Sequence, residues 1–186
     1  MSALKKSCII AAMITAILST GCTNRYAITH DLEDWISPDR TCKIGAFADE
    51  LPINTAEGDK PTIEDVAKFK ECLTEEIEKY DIINLLSEDT LIPDYEIRGS
   101  FLEYKKGSGV VRFFVGFGLG NADCVMTMRL VDNSTGLTVF GGNFRATVSS
   151  GLESGDNAYR QISRDFCKQL EKRLKKLRKE QEKAQG

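Results

Sequence analysis

The sequence predicts an α+β fold: a mixed or mainly antiparallel sheet of about five strands packed against two main helices. Two stretches repeat apolar residues every three or four positions, the helical period. Several shorter stretches alternate, or run apolar, between clusters of turn-forming residues. One strand lies before the first helical stretch, and the others lie between the two.

A first strand covers Cys42 to Phe47, and a loop with Pro52, Gly58 and Pro61 follows. The first helix opens at Thr62, a good N-cap, with Glu64 and Asp65 at the positive end of its dipole. Ile63, Val66, Phe69, Leu73, Ile77 and Tyr80 make its apolar stripe, and Cys72 borders it. Lys68, Lys70, Glu71, Glu75, Glu76 and Lys79 read as a solvated face. Ile82 to Leu86 reads as a short buried strand, and Tyr95 to Lys105 as a longer one after Pro93-Asp94. Val110 to Val115 continues the extended pattern. Ala122 to Asp132 alternates, with Cys124, Met126, Met128 and Leu130 on one face. The two methionines read as core filling. Asp132 to Gly136 is a turn, and Leu137 to Val148 returns as a strand. The second helix starts near Asp156 with the stripe Tyr159, Ile162, Phe166, Leu170, Leu174 and Leu177.

Residues 1–21 read as an export signal. Lys5 and Lys6 precede an apolar run from Ser7 to Leu18, too short for a spanning helix of about 20 residues. Residues 22–41 then read as a tether or a cap over the domain edge, acidic through Asp31, Glu33, Asp34 and Asp39, with Trp35 and Ile36 docking on the domain. Residues 42–177 make the α+β domain, and 178–186 a charged helical tail. The chain carries 25 Lys+Arg against 28 Asp+Glu, and loss of Lys5 and Lys6 makes the mature protein more acidic. That balance does not fit a nucleic-acid partner. From Lys168 onward basic residues dominate locally. This end is either a solvated helical tail or a surface attracted to anionic headgroups or cell-wall polymer.

The segment Leu18-Ser19-Thr20-Gly21-Cys22 resembles the lipobox of bacterial lipoproteins, with Ser19 where that family usually has Leu. The resemblance implies acylation of the Cys22 thiol and cleavage between Gly21 and Cys22. Ser19 and Gly21 are also small enough for ordinary signal peptidase. Thr23, not Asp, follows the cysteine, which resembles the enterobacterial pattern for an outer-membrane destination facing the periplasm.

The most distinctive segment is Arg112 to Ala122, with Phe113, Phe114, Gly116, Phe117, Gly118 and Gly120. It lacks the Lys of a phosphate-binding loop and runs into a strand, and Asn121 stands where a dinucleotide fingerprint needs Gly. Its phenylalanines either seal a sheet edge or form a partner contact. With Val131-Asp132-Asn133-Ser134-Thr135-Gly136, the Gly116-Phe117-Gly118-Leu119-Gly120 run resembles a family of bacterial lipoproteins of unknown function, over roughly residues 42 to 175. That family is similar in fold to the N-terminal domain of TolB and to the CsgG and LpoB group. The resemblance implies an assembly or regulatory role in the envelope.

If Cys22 carries lipid and Cys8 leaves with the signal, four cysteines remain. An even set in an oxidising compartment suits disulfides. Four cysteines allow three connectivities, and the sequence does not fix which; with both helices packed on one sheet face, the expected pairs are Cys72 with Cys167 between helices and Cys42 with Cys124 between strands. His30, the only histidine, lies in the tether, so a Ser-His or Cys-His nucleophile pair has no well-placed base. No zinc-type spacing is present, and the expectation is no enzyme, no metal and no cofactor. The sequence thus points to a membrane-anchored, non-catalytic binding or assembly module that contacts an envelope protein or peptidoglycan. A homo-oligomeric secretion or channel component is the alternative, and a carboxylate-dependent cell-wall hydrolase the third.

Overall fold

A computed structural model of the chain describes residues 25–86, 92–105, 122–148 and 155–185. The strands are β1 (Tyr26–His30), β2 (Thr41–Asp49), β3 (Asn84–Leu85), β4 (Tyr95–Lys105), β5 (Ala122–Asp132) and β6 (Thr138–Val148). The helices are α1 (Ile63–Tyr80), between β2 and β3, and α2 (Gly155–Gln185), after β6. The six strands form one sheet in the order β1-β6-β5-β4-β2-β3. β2 runs parallel to both β3 and β4, and the remaining neighbours are antiparallel. The sheet is therefore mixed. β2-α1-β4 supplies the crossover that parallel neighbours require, and β4-β5-β6 is a meander.

Helix α1 begins as its sequence indicates. Thr62 accepts from the Asp65 N–H, while the Asp65 carboxylate accepts from the Thr62 N–H at 2.9 Å, a reciprocal capping box. It ends at Asp81 in the left-handed region (φ 49°), whose N–H donates to the Ile77 carbonyl. Phe69, Cys72, Leu73 and Ile77 of its stripe are buried, but Ile63 is 91% exposed because it opens the helix ahead of the sheet contacts.

The core lies on the one sheet face that the helices cover. Phe69 packs edge-on against Phe47, Phe101 and Tyr159 at centroid distances of 4.9, 6.2 and 6.0 Å. Phe166 of α2 packs on Phe140 and Phe144 of β6 at 5.7 and 5.6 Å. Cys124, Met126, Met128 and Leu130 point into this core, as their alternation requires. The opposite face is polar, with Arg98, Arg129, Asn143 and Arg145 exposed, as a one-sided sheet demands.

The two helices run parallel. Phe69 meets Tyr159, Glu75 pairs with Arg160 at 2.8 Å, and Glu76 with Arg164 at 3.6 Å, so numbers rise together along both. Glu76, read as solvated, is buried (2% exposed) because Arg164 and Lys79 flank it across the helix contact.

Two expectations change. Within the expected tether or cap, residues 26–30 form an edge strand the sequence did not announce. β1 pairs with β6 from Tyr26 opposite Phe144 to His30 opposite Gly141, and Leu32 and Ile36 are buried. The expected disulfides are absent: Cys42, Cys72, Cys124 and Cys167 are all buried thiols. Register explains one pair. Cys42 lies opposite Tyr95, at the start of β4, whereas Cys124 lies opposite Tyr104, near its end, with β4 between them. Helix offset explains the other. The parallel contacts set Cys167 level with the end of α1, about two turns past Cys72.

Burial pushes the Cys42 and Cys124 thiols up to about 12, and raises Cys167 as well. Thiolate, the reactive form, is then on the order of one part in ten thousand at pH 8. A disulfide reagent at pH 8 should leave these four cysteines unmodified in the folded protein and titrate all four after unfolding in guanidinium. A reductant should leave the melting temperature unchanged.

Candidate interaction surfaces

Gly21, Cys22 and the segment with Phe113, Phe114, Gly116, Phe117, Gly118 and Gly120 lie outside the described residues. Their flanks are described. Lys105 and Asp123 are cross-strand neighbours at one end of the sheet. Arg25 reaches the same end: its carbonyl accepts from the Arg145 N–H at 2.6 Å, and Arg145 lies opposite Val125. β1 starts there and runs away from it. Both helices also begin at that end. The Tyr104 and Tyr159 hydroxyls share a hydrogen bond at 3.2 Å, and these residues lie near the end of β4 and in the first turns of α2.

At the far end, the Asp132 turn closes the β5–β6 hairpin. The Asp132 carboxylate accepts from the N–H groups of Ser134 and Thr135 at 2.7 and 3.3 Å, and Gly136 takes φ +71°. These contacts hold the Asp132 carboxyl below the ordinary carboxylate range, the Ser134 hydroxyl contributing most. Beside it, Asp94 accepts from the Thr41 N–H and hydroxyl at 2.8 Å each and from Arg40 at 2.7 Å. The bonds from Thr41 lead in lowering its pKa. Asn133 joins the turn to this node by donating from its N–H to the Asp94 carbonyl at 2.9 Å. An open cleft of about 340 Å³ lies here, lined by Arg40, Pro93, Asp94, Tyr95, Asp132 and Asn133. Both carboxylates are held by fixed donors. Their geometry serves to clamp β2, β4 and the hairpin rather than to move protons.

Helix α2 presents a dense line of basic side chains. Lys168, Lys172, Lys175, Lys176, Lys179 and Lys183 are all exposed, and their spacings of three and four set them in one row along the helix. Leu170 and Leu174, buried, and Leu177, partly buried, occupy the opposite side. Glu171 pairs with Lys175 at 2.6 Å and Glu180 with Lys176 at 3.7 Å, at the margins of the row. Lys172, Lys179 and Lys183 have no ion-pair partner among the described residues. Like charges at this spacing destabilise a helix by about 0.2–0.5 kcal/mol per pair, so the row costs stability. Between α2 and the β1–β6 edge runs a groove of about 380 Å³, floored by Ile28 and Phe140 and rimmed by Lys172 and Lys176. Arg173 closes its side, pairing with Asp31 at 2.7 Å and donating to the Leu32 carbonyl at 3.2 Å.

His30 is exposed, with its Nδ1 at 3.1 Å from the Thr29 hydroxyl. Among the described residues no three His, Cys, Asp or Glu side chains are grouped to hold a metal. None of their helices is long and apolar enough to cross a membrane.

The model of a family described as a domain of unknown function, DUF4410, matches residues 54–155. No curated protein sequence matches significantly. Two dodecamer structures of PelC from Paraburkholderia phytofirmans share the fold. One, a point variant of that protein, has a TM-score of 0.57 at 13% identity, covering 78% of this chain and 95% of that one. The second has a TM-score of 0.54 at 12% identity, covering 78% and 97%.

Asp94→Asn should destabilise the protein by about 1–2 kcal/mol at neutral pH, the worth of charge-assisted hydrogen bonds at a partly exposed site. The folded carboxyl titrates below its unfolded value near 4, so this stabilisation is present above about pH 4 and is lost as pH falls through the folded pKa. Urea midpoints of wild type and variant should therefore differ at pH 7 and converge near pH 2.

Proposed function

The chain belongs to the DUF4410 family, and from that premise we propose that it is a lipid-anchored, non-catalytic binding or assembly module of the bacterial cell envelope. Cys22 carries the acyl chains after cleavage at Gly21, and the domain faces the periplasm from the outer membrane. Each acyl CH₂ in the bilayer contributes roughly 0.8 kcal/mol, so two or three chains hold the protein firmly. The segment with Phe113, Phe114 and Phe117 and its glycines is the contact for an envelope protein partner. The resemblance of its Gly116–Gly120 and Val131–Gly136 motifs to a lipoprotein family of unknown function is what suggests an assembly role.

The observation that carries this reading is how close Cys22 lies to the folded domain. Only Thr23 and Asn24 lie between it and Arg25, three residue steps that reach at most about 11 Å. An acylated Cys22 thus holds the Arg25 end of the sheet at the membrane surface. Lys105 and Ala122, which flank the Phe-Gly segment, belong to that same end.

Self-assembly is the second reading, favoured by the sheet's two open edges. Among the described residues β1 is unpaired on its outer side, and β3 covers only Thr41 and Cys42 of β2. Two unlike edges can join head to tail, and such contacts close into a ring when the rotation per subunit permits. The PelC dodecamers share this fold.

The mature protein should partition into the membrane fraction and leave it with detergent but not with high salt. Its N-terminal peptide should carry the mass of an acylated cysteine, and Cys22→Ala should turn soluble. A soluble wild-type protein with an unmodified Cys22 overturns the reading. Light scattering of the detergent-solubilised protein decides the second: a strict monomer at high concentration rules out the ring.

A further inference from the structure

We propose that the lysine row of α2 is a docking surface for the carboxylate-bearing peptide–glycan polymer of the cell wall, held clear of the membrane that anchors the domain. The proposal rests on the anchored orientation argued above and adds a partner at the opposite end. Three observations carry it.

The first is direction. α2 begins beside the Arg25 end of the sheet and runs away from it, parallel to α1. At 1.5 Å per residue, Lys168 stands about 20 Å and Lys183 about 42 Å along the helix from Gly155. In salt of about 0.1–0.15 M a headgroup field decays e-fold over each 8–10 Å or so. For a domain standing on its anchored end, the anchoring bilayer is out of electrostatic reach of the row.

The second is excess length. The sheet contacts of α2 end near Leu174 and Leu177, yet the helix continues to Gln185. Arg178, Lys179 and Lys183 are exposed on that extension. Trp35 and Pro38 line a shallow pocket with Arg178, Gln181 and Glu182 on one side of this extension, and its lysines lie outside that pocket.

The third is charge complementarity. Six exposed lysines share one line, and Lys172, Lys179 and Lys183 have no counter-charge among the described residues. Neighbours at three and four residues lie about 5–6 Å apart on a helix, so the row offers repeated single charges along about 22 Å. A polymer with repeating carboxylates answers that pattern, and a single small anion does not. Lysine ammonium groups suit it as mobile point charges, without the rigid fork that selects one geometry.

The test is co-sedimentation of the mature protein, in detergent, with purified cell-wall sacculi at rising salt. Wild type should sediment at low salt and be released as salt rises. Replacing Lys172, Lys175, Lys176, Lys179 and Lys183 with Gln should weaken binding at least tenfold while circular dichroism keeps its helix content. The same five positions changed to Arg should bind within twofold of wild type. Sacculi with amidated carboxyl groups should not bind. The proposal is overturned if the Gln variant sediments like wild type or if amidation has no effect. It is also overturned if the protein with Cys22→Ala, lacking acyl chains, binds anionic vesicles in a lysine-dependent way while ignoring sacculi. Failure of this proposal leaves membrane fractionation and the mass of the N-terminal peptide unchanged. Failure of the anchor reads out there alone.

Discussion

The pairing of β1 with β6 ties the first described residues to the sheet, and the orientation of every other element relative to them follows from it. Tyr26 stacks near Phe144 at 6.2 Å, Arg145 donates to the Arg25 carbonyl, and Ile28 packs on the core. Without this strand, residues 22–41 would be about 20 residues of linker, and the domain could face any way. With it, only three residues intervene between Cys22 and a fixed point of the fold. An anchor at Cys22 then selects one end of the sheet.

Parallel helices over one face convert that end into an axis. β4 runs opposite to the meander's middle strand, and both helices start beside its last residues, so the loop-bearing end and the Asp94–Asp132 end are chemically different places. The first carries the flanks of the Phe-Gly segment. The second is clamped by carboxylates whose partners come from Thr41, Arg40, Ser134 and Thr135. Strands approach closely at the middle of the sheet, where a Cβ on Gly99 would collide with the Thr127 carbonyl oxygen. Stability comes from the aromatic core about Phe69 and Phe166, with no crosslink among the described cysteines.

Local patterns made much of this legible in the sequence. α1 carries a cap, a dipole-matched first turn and a stripe, and each is a short-range signal. β5, the Asp132 turn and β6 were legible because alternation and turn chemistry agree. β1 was not. Tyr26-Ala27-Ile28-Thr29-His30 is an edge strand, exposed save for Ile28, so burial imposed no alternation on it. The burial of Glu76 was hidden because Arg164, which answers its charge, lies on another helix. Cysteine parity misled for the same reason. It counts thiols but knows neither the register that separates Cys42 from Cys124 nor the helix offset that separates Cys72 from Cys167. Of the candidate site residues, Gly21, Cys22 and the Phe-Gly segment fall outside the described residues. The basic run of α2 was visible as composition, but its place away from the Arg25 end depends on topology.

The axis itself can be measured. Single fluorescent probes placed through Lys105→Cys and Lys183→Cys, in acylated protein reconstituted into bilayers with a headgroup quencher, report the height of each sheet end. The buried native thiols stay unlabelled. A domain that stands on its Arg25 end should show strong quenching at position 105 and little at position 183. Equal quenching, or stronger quenching at 183, would contradict that orientation.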